Sequence, residues 1–305
     1  MLDVSRLVLG CGNFGGIGSA PAFFGQGETR EQAFALMDAA WEVGIRRFDT
    51  ADAYGGGRSE RWIGEWMRDH DRRPALTTKV FHSVVGDPAD RGLAPDRVRR
   101  RLHGSLERLG VDAVDLYLTH EPDPDTPIAD TLAELARLRD EGLVRAFGLS
   151  NVDAAELEAA LDAGDVSCVQ NAYSLLDRDS EPVLEACAAR GIEFQAFGPL
   201  AGGWLTRKYR RGEPPPTGSR MTLRPEPYRH LEHEAVFDAL DRFAEDAAGR
   251  GTDTATLALA WLLADPRVGG VVLGPRRPAH LAPALAAASH ALASGERDAL
   301  AALFG

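Results

Sequence analysis

A chain of 305 residues, 44% hydrophobic and 26% charged, has the makeup of a soluble globular protein with material for one large core. Its net charge of -12 repels a phosphate backbone, so nucleic acid is not expected as a partner, and an anionic ligand needs a local basic pocket working against that field. No apolar run nears ~18 residues, so no membrane span is expected, and three cysteines (Cys11, Cys168, Cys187) without metal-like spacing suggest a reduced, cytoplasmic setting.

The N-terminal stretch M-L-D-V-S-R-L-V-L-G has no long apolar segment behind a basic start, so no signal peptide is expected. Its end, Leu7–Gly10, is the first of eight short apolar runs that read as strands. The others are Arg46–Asp49, Ala75–Lys79, Asp115–His120, Ala146–Ser150, Cys168–Asn171, Glu193–Phe197 and Val271–Leu273. Helical spacing follows each run, as in Arg30–Val43 (apolar Phe34, Met37, Ala40 and Trp41), Pro95–Leu109, Ile128–Glu141 and Ala154–Ala163. Thr29 with Gln32 reads as a capping box, and Gly44, Gly110, Gly142 and Gly191 stand where C-terminal caps belong. Strands alternating with helices predict right-handed βαβ units and a parallel sheet. Eight such units close into a (β/α)8 TIM barrel, here one domain over residues 1–305. An open doubly wound sheet is the runner-up, but no G-x-G-x-x-G follows an early strand.

The longest insert, Leu200 to His233, holds the basic run Arg207-Lys208-Tyr209-Arg210-Arg211 and Pro214-Pro215-Pro216, and reads as a long surface loop between strand seven and its helix, on the C-terminal face where such loops shape ligand access. Beyond Leu273, patterns near Ala279–Ala287 and Glu296–Leu303 read as the eighth barrel helix and a terminal packing helix.

Polar residues at C-terminal strand ends of a barrel point into its mouth. Asp49, Lys79, His120 and Ser150 stand at four such ends, with Asn151 next and Tyr54 in the loop after Asp49. Each alone has a structural explanation, as a turn cap, a solvated lysine or a core histidine. Together they solve one problem. A phenol with a reference pKa of about 10 is a sluggish proton donor at neutral pH. A nearby ammonium lowers that value, a carboxylate holds the ammonium, and an imidazole orients the oxygen that receives the proton. Such acid–base help is worth roughly 10²–10⁴ in rate. A hydrolase fits less well, because Ser150 has no histidine in a nucleophile elbow and Cys187 lies inside a helical pattern. No H-x-H follows the first strand, so no metal site is expected around His120, Asp49 and Asp123.

These segments resemble the aldo-keto reductases over about Val4 to Leu285. The matching text is F-D-T-A-x-x-Y-G at Phe48–Gly55, Ser59-Glu60, Thr78-Lys79, D-L-Y-L-x-H at Asp115–His120, P-D-T-P-I at Pro124–Ile128, G-x-S-N at Gly148–Asn151, Gln170-Asn171 and G-P-L-A-G-G-x-L at Gly198–Leu205. The resemblance implies reduction of an aldehyde or ketone by hydride transfer from NADPH, with NADH as the alternative cofactor. Tyr54 would donate the proton, Lys79 and Asp49 would tune it, and His120 would orient the carbonyl. Ser150, Asn151 and Gln170 would hold the nicotinamide carboxamide, and Phe197 would stack on its ring. Gly198, Pro199, Leu200 and Gly202 would run under the pyrophosphate. The last cofactor segment, Gly274 to Ala284, departs from the family pattern: Pro283 and Ala284 replace a Glu-Asn pair and His280 a longer polar residue. Gly274, Arg276, Arg277 and His280 remain as its expected contacts, the arginines for a 2′-phosphate. A small N-terminal hairpin at the barrel floor, usual in the family, is missing from this sequence, an expectation for stability rather than chemistry.

The expected partner is a small carbonyl substrate, with no nucleic acid or membrane, on a monomer or weak homo-oligomer. Phe14, Phe23, Phe24, Tyr173, Trp204 and residues around Arg220–Tyr228 suggest an apolar mouth, with packing of a loop the equal alternative for Phe23 and Phe24, and Glu121 is expected to widen or polarise it. A cofactor-binding regulatory subunit with little turnover is the alternative reading, since potassium-channel β subunits share the fold.

Overall fold

In a computed structural model, which describes residues 3–87 and 89–305, eight parallel strands close into a barrel in sequence order. Met1 and Leu2, part of the stretch read for a signal peptide, lie outside the described residues, as does Pro88. The strands are β1 (Leu7–Gly10), β2 (Arg47–Asp49), β3 (Ala75–Val80), β4 (Val114–Thr119), β5 (Val144–Ser150), β6 (Cys168–Ala172), β7 (Glu193–Phe197) and β8 (Val268–Leu273). Leu7 of β1 pairs with Val271 of β8 to complete the ring.

Period-two alternation decides which residues meet. One parity of each strand faces the helices, and Phe48, Leu76, Tyr117, Phe147 and Phe194 join the main core there. The other parity faces the barrel axis, where Leu116, Leu118 and Cys168 form a separate small cluster with Ala146 against it. The barrel narrows where Gly148 pairs with Cys168, since a Cβ on Gly148 would stand 2.0 Å from the Cys168 carbonyl oxygen. Arg47 and Glu193, the first residues of β2 and β7, join across the floor at 2.5 Å.

Six helices follow the first six strands, α1 (Arg30–Glu42), α2 (Arg58–His70), α3 (Pro95–Leu109), α4 (Ile128–Asp140), α5 (Ala154–Ala163) and α6 (Glu181–Arg190). The predicted capping box at Thr29 and Gln32 is present, and Gly44, Gly110, Gly142 and Gly191 take left-handed conformations at the expected helix ends.

The segment between β7 and β8 differs from the single helix expected. A short α7 (Arg220–Leu223) lies within the insert, followed by two long helices, α8 (Glu234–Gly249) and α9 (Thr254–Leu263). Asp253 starts α9 by accepting from Thr256 N at 2.9 Å. Eight of its ten residues are buried, because T-A-T-L-A-L-A-W-L-L is apolar all round and has packing on every side. The eighth helical pattern is also shorter than expected. Pro278–Leu281 forms a 3₁₀ turn and only Ala282–Ala287 is α10, with α11 (Ser294–Ala301) after it. No described helix is long and apolar enough to cross a membrane.

Candidate active site

Asp49 ends β2, Lys79 is the penultimate residue of β3, His120 directly follows β4 and Ser150 ends β5, as the sequence predicts. Their parity turns Asp49, Lys79, His120, Ser150, Gln170 and Phe197 toward the barrel axis. All but Lys79 border one cavity of about 1340 Å³ at the C-terminal face, and Lys79 sits beneath it, 1% exposed. Cavities of ~300–1000 Å³ are usual for small ligands, so this one has room for a long ligand and a second small one.

Lys79 Nζ donates to Asp49 Oδ1 at 2.5 Å and to the Thr50 carbonyl at 3.1 Å. Tyr54 reaches the site from a turn whose next residues, Gly55, Gly56 and Gly57, all have left-handed φ between 58° and 79°. The tightest is Gly55, where a Cβ would lie 2.4 Å from the Phe14 carbonyl oxygen. The triple glycine is the turn that folds the phenol over the barrel. Tyr54 Oη stands 3.4 Å from His120 Nε2, and Lys79 Nζ lies 5.2 Å from the phenol ring centre.

The electrostatics correct one expectation. Burial raises the Tyr54 pKa above its ordinary value, and the opposing pull of Lys79 does not reverse this. Charge counting predicts a lowered value because it omits the loss of water. For Lys79, burial alone favours the neutral amine, but Asp49 and Tyr54 outweigh it and the ammonium is held above the usual lysine range. His120 is pushed well below the imidazole range by burial, then by Lys79, His82 and Arg224. Its ring is therefore neutral. Its buried Nδ1 has no partner among the described residues. The single proton is assigned to Nε2, facing Tyr54, since a bare acceptor costs less than a bare N–H.

Asn151, with a left-handed φ of 58°, turns its side chain back so that Nδ2 donates to the His120 carbonyl at 2.8 Å and to Ser150 Oγ at 3.2 Å. Gln170 Nε2 donates to Asp49 Oδ2 at 2.8 Å. Phe197, Gly198, Pro199, Leu200 and Gly202 form a continuous wall of the cavity, and the Tyr228 ring lies where a Cβ on Gly202 would be.

The far end of the cavity is cationic. Gly274, Arg276, Arg277 and His280 line it. Arg276 Nε donates to Glu28 Oε1 at 2.7 Å, and Arg277 Nε to His280 Nε2 at 2.8 Å. The insert after β7 adds Lys208, which the sequence reading did not assign to the site, and Arg220, which it expected at the mouth. The insert folds over the cavity at the C-terminal face, as expected of a long loop there. Arg220 Nη2 bridges to Asn13 Oδ1 in the loop after β1 at 2.8 Å, and Arg276 Nη1 to the Gly218 carbonyl at 2.7 Å. The available signal was the basic run at residues 207–211 in an acidic chain. Within it Lys208 faces the cavity, while Arg207 and Arg211 pair outward with Asp241 and Asp238.

Of the aromatics expected at the mouth, Tyr228 alone borders the cavity. Phe14, Tyr173 and Trp204 are core residues, 1%, 0% and 1% exposed, and neither Phe23 nor Phe24 borders the cavity. Tyr228, Arg220 and Arg224 do border it, and His82, Ser83, Arg91 and Glu121 complete the catalytic end. His82 Nε2 stands 3.2 Å from Glu121 Oε1, and its ring meets His120 edge-on at 4.8 Å.

A long cavity with a phenol–imidazole pair at one end and, at the other, cations of which only Arg276 has a carboxylate partner among the described residues fits an anionic nicotinamide dinucleotide beside a small carbonyl compound. Known proteins agree. The aldo/keto reductase family model matches residues 6–303. The chain is similar to an NADH-specific methylglyoxal reductase of Escherichia coli, 31% identical over 90% of this chain and 88% of the relative. It is also similar to a probable voltage-gated potassium channel subunit beta of Oryza sativa, 33% identical over 82% of this chain and 80% of the relative. Among solved structures, a glycerol dehydrogenase from Gluconobacter oxydans superposes with a TM-score of 0.83 at 26% identity, covering 98% of this chain and 91% of that one.

Proposed function

Because the chain belongs to the aldo/keto reductase family, we propose that it reduces an aldehyde or ketone to the alcohol using NADPH, with Tyr54 as proton donor. The observation that carries this reading is the approach of Tyr54 Oη to His120 Nε2, 3.4 Å apart on the cavity wall and above a buried Lys79–Asp49 pair. A carbonyl oxygen placed between them receives two hydrogen bonds. When bound, the nicotinamide cofactor supplies the hydride to the carbonyl carbon. Tyr54 Oη gives its proton to the oxygen, which closes the balance at one alcohol. The phenolate left behind stands beside the Lys79 ammonium, which stabilises it until solvent returns a proton. His120, neutral, donates from Nε2 and orients the carbonyl without competing as an acid.

Ser150, Asn151, Gln170 and Phe197 would hold and face the nicotinamide, with Gly198, Pro199, Leu200 and Gly202 along the pyrophosphate. Gly274, Arg276, Arg277, His280, Lys208 and Arg220 would take the adenosine phosphates. NADPH is favoured because guanidinium groups pair bidentately with a phosphate, and Arg277 has no carboxylate partner among the described residues. Three buried, unpaired cysteines accord with a reduced, cytoplasmic setting.

The test is Tyr54→Phe assayed on a carbonyl panel with NADPH and NADH in parallel. Turnover should fall roughly 10²–10⁴-fold while cofactor still quenches protein fluorescence. Wild-type rates in that variant would remove Tyr54 from its role. Negligible wild-type turnover on every carbonyl, with cofactor bound, would favour the regulatory-subunit alternative.

A further inference from the structure

The catalytic end of the cavity carries charged groups that the reduction chemistry does not use, and Arg224 is the half-buried guanidinium among them, Arg91 being exposed. It follows α7 and crosses toward the loop after β1, where a Cβ on Gly18 would lie 3.0 Å from Arg224 Nη1. The Gly18 carbonyl accepts from Gly55 N at 3.3 Å, one residue from Tyr54. The guanidinium therefore overhangs the catalytic end. It borders the same cavity as His120 and Glu121.

Its neighbours are otherwise committed. Arg220 is tied to Asn13 and Arg276 to Glu28. Glu121 is engaged by His82 at 3.2 Å. Among the described residues no carboxylate lies within 4.0 Å of the Arg224 guanidinium, and no side-chain hydrogen bond holds it. A half-buried guanidinium in this state is matched best by an oxyanion that takes two parallel N–H bonds. The overall charge of -12 works against anions, so a site for one requires such a local cation.

We infer that the substrate is a carbonyl compound bearing an anionic oxygen group, a carboxylate above all, which Arg224 receives while the carbonyl sits between Tyr54 and His120. This rests on the site being a carbonyl reductase.

The test uses succinic semialdehyde and 4-carboxybenzaldehyde, each beside its methyl ester, with wild type, Arg224→Met and Arg224→Lys, and cofactor affinity measured separately by fluorescence quenching. Wild type should prefer the acids in kcat/KM, through KM, by roughly ten- to a hundred-fold for at least one pair. Arg224→Met should bring the acid-to-ester ratio toward one, and Arg224→Lys should recover part of it. Esters used as well as acids by wild type would overturn the inference. So would a ratio that survives Arg224→Met, or a variant that loses cofactor affinity with the ratio intact, since Arg224 would then serve the cofactor. If the methionine variant does not fold, the wild-type ratios alone decide. No turnover of any of the four probes while other carbonyls of the panel are reduced would overturn the inference alone, and no turnover on the whole panel, with cofactor bound, would remove the carbonyl-reductase reading and the inference with it.

Discussion

Gln170 Nε2 donates to Asp49 Oδ2 at 2.8 Å, so the carboxylate that holds Lys79 is itself held from β6, across the barrel from β2. Asp49 therefore has both oxygens engaged, one by an ammonium and one by an amide, in a site 3% exposed. Removing its charge leaves Lys79 buried without a counter-ion. Asp49→Asn should lower unfolding free energy by about 3–5 kcal/mol, read from urea midpoints, whereas Gln170→Leu should cost only about 1–2 kcal/mol. A variant within 1 kcal/mol of wild type, on the scale of ~1 kcal/mol for an exposed pair, would mean that water reaches Lys79.

The Lys79 ammonium has a raised folded pKa, so its stabilising effect is complete below the ordinary lysine value of 10.5 and is lost only as pH rises through the folded value. The stability gap between wild type and Lys79→Met should thus stay constant across neutral pH and narrow only in strong alkali. A gap that closes near pH ~8 would place a neutral amine in the folded protein.

The reductive pH profile follows from Tyr54 and His120. Burial first, against the pull of Lys79, raises the phenol, so it stays protonated and able to donate through neutral pH. Burial, then Lys79, His82 and Arg224, lowers His120, so the imidazole does not charge in that range either. Reduction kcat should be flat from about pH 6 to 8 and fall only in alkali, while alcohol oxidation, which needs the phenolate as base, should rise with pH. An inflection near pH ~6.5 that vanishes in His120→Ala would show that His120 titrates during turnover.

The barrel and the polar residues gathered at its rim were legible because such residues interrupt apolar runs at their C-terminal ends. Asp49, His120 and Ser150 mark those ends without any knowledge of packing. Helix α9 was not legible, since a segment buried on all sides has no amphipathic period. The mouth was misread for a related reason. Loop aromatics such as Phe14 and Trp204 carry no alternation that says whether they face core or cavity, and both went to the core. Lys208 was hidden in a basic run whose members point opposite ways. The Tyr54 shift escaped because sequence shows neighbouring charges but not the water they lose.

Glu28 and Arg276 make cofactor choice adjustable. The buried Glu28 carboxyl is pushed up by burial, partly offset by Arg276, and its pairing at 2.7 Å draws that guanidinium away from an incoming phosphate. Glu28→Gln should free Arg276 and improve the kcat/KM ratio of NADPH over NADH, by roughly three- to ten-fold. Arg277→Ala should move it the other way. Equal effects of Glu28→Gln on both cofactors would assign the pair to loop positioning.

Asp52 is the contrasting buried carboxylate. Arg101 Nε donates to its Oδ2 at 2.8 Å, but Oδ1 has no partner among the described residues, and the residue is fully buried. Burial outweighs the attraction of Arg101 and raises its pKa from 3.8 to about 6. A raised carboxyl pKa means that its stabilising contribution is complete below 3.8 and is lost as pH rises toward 6. Asp52→Asn imitates the protonated form at every pH. Near pH ~4 the two proteins should have similar stability, and by pH ~7 the asparagine variant should be the more stable by roughly 2–3 kcal/mol. That order is opposite to the one expected for Asp49→Asn, although both changes remove a buried carboxylate paired with a cation. The difference lies in the second oxygen, bound by Gln170 in Asp49 and bare in Asp52. Denaturant midpoints at the two pH values settle it: an asparagine variant less stable than wild type at pH ~7 would show that Arg101 compensates Asp52 fully.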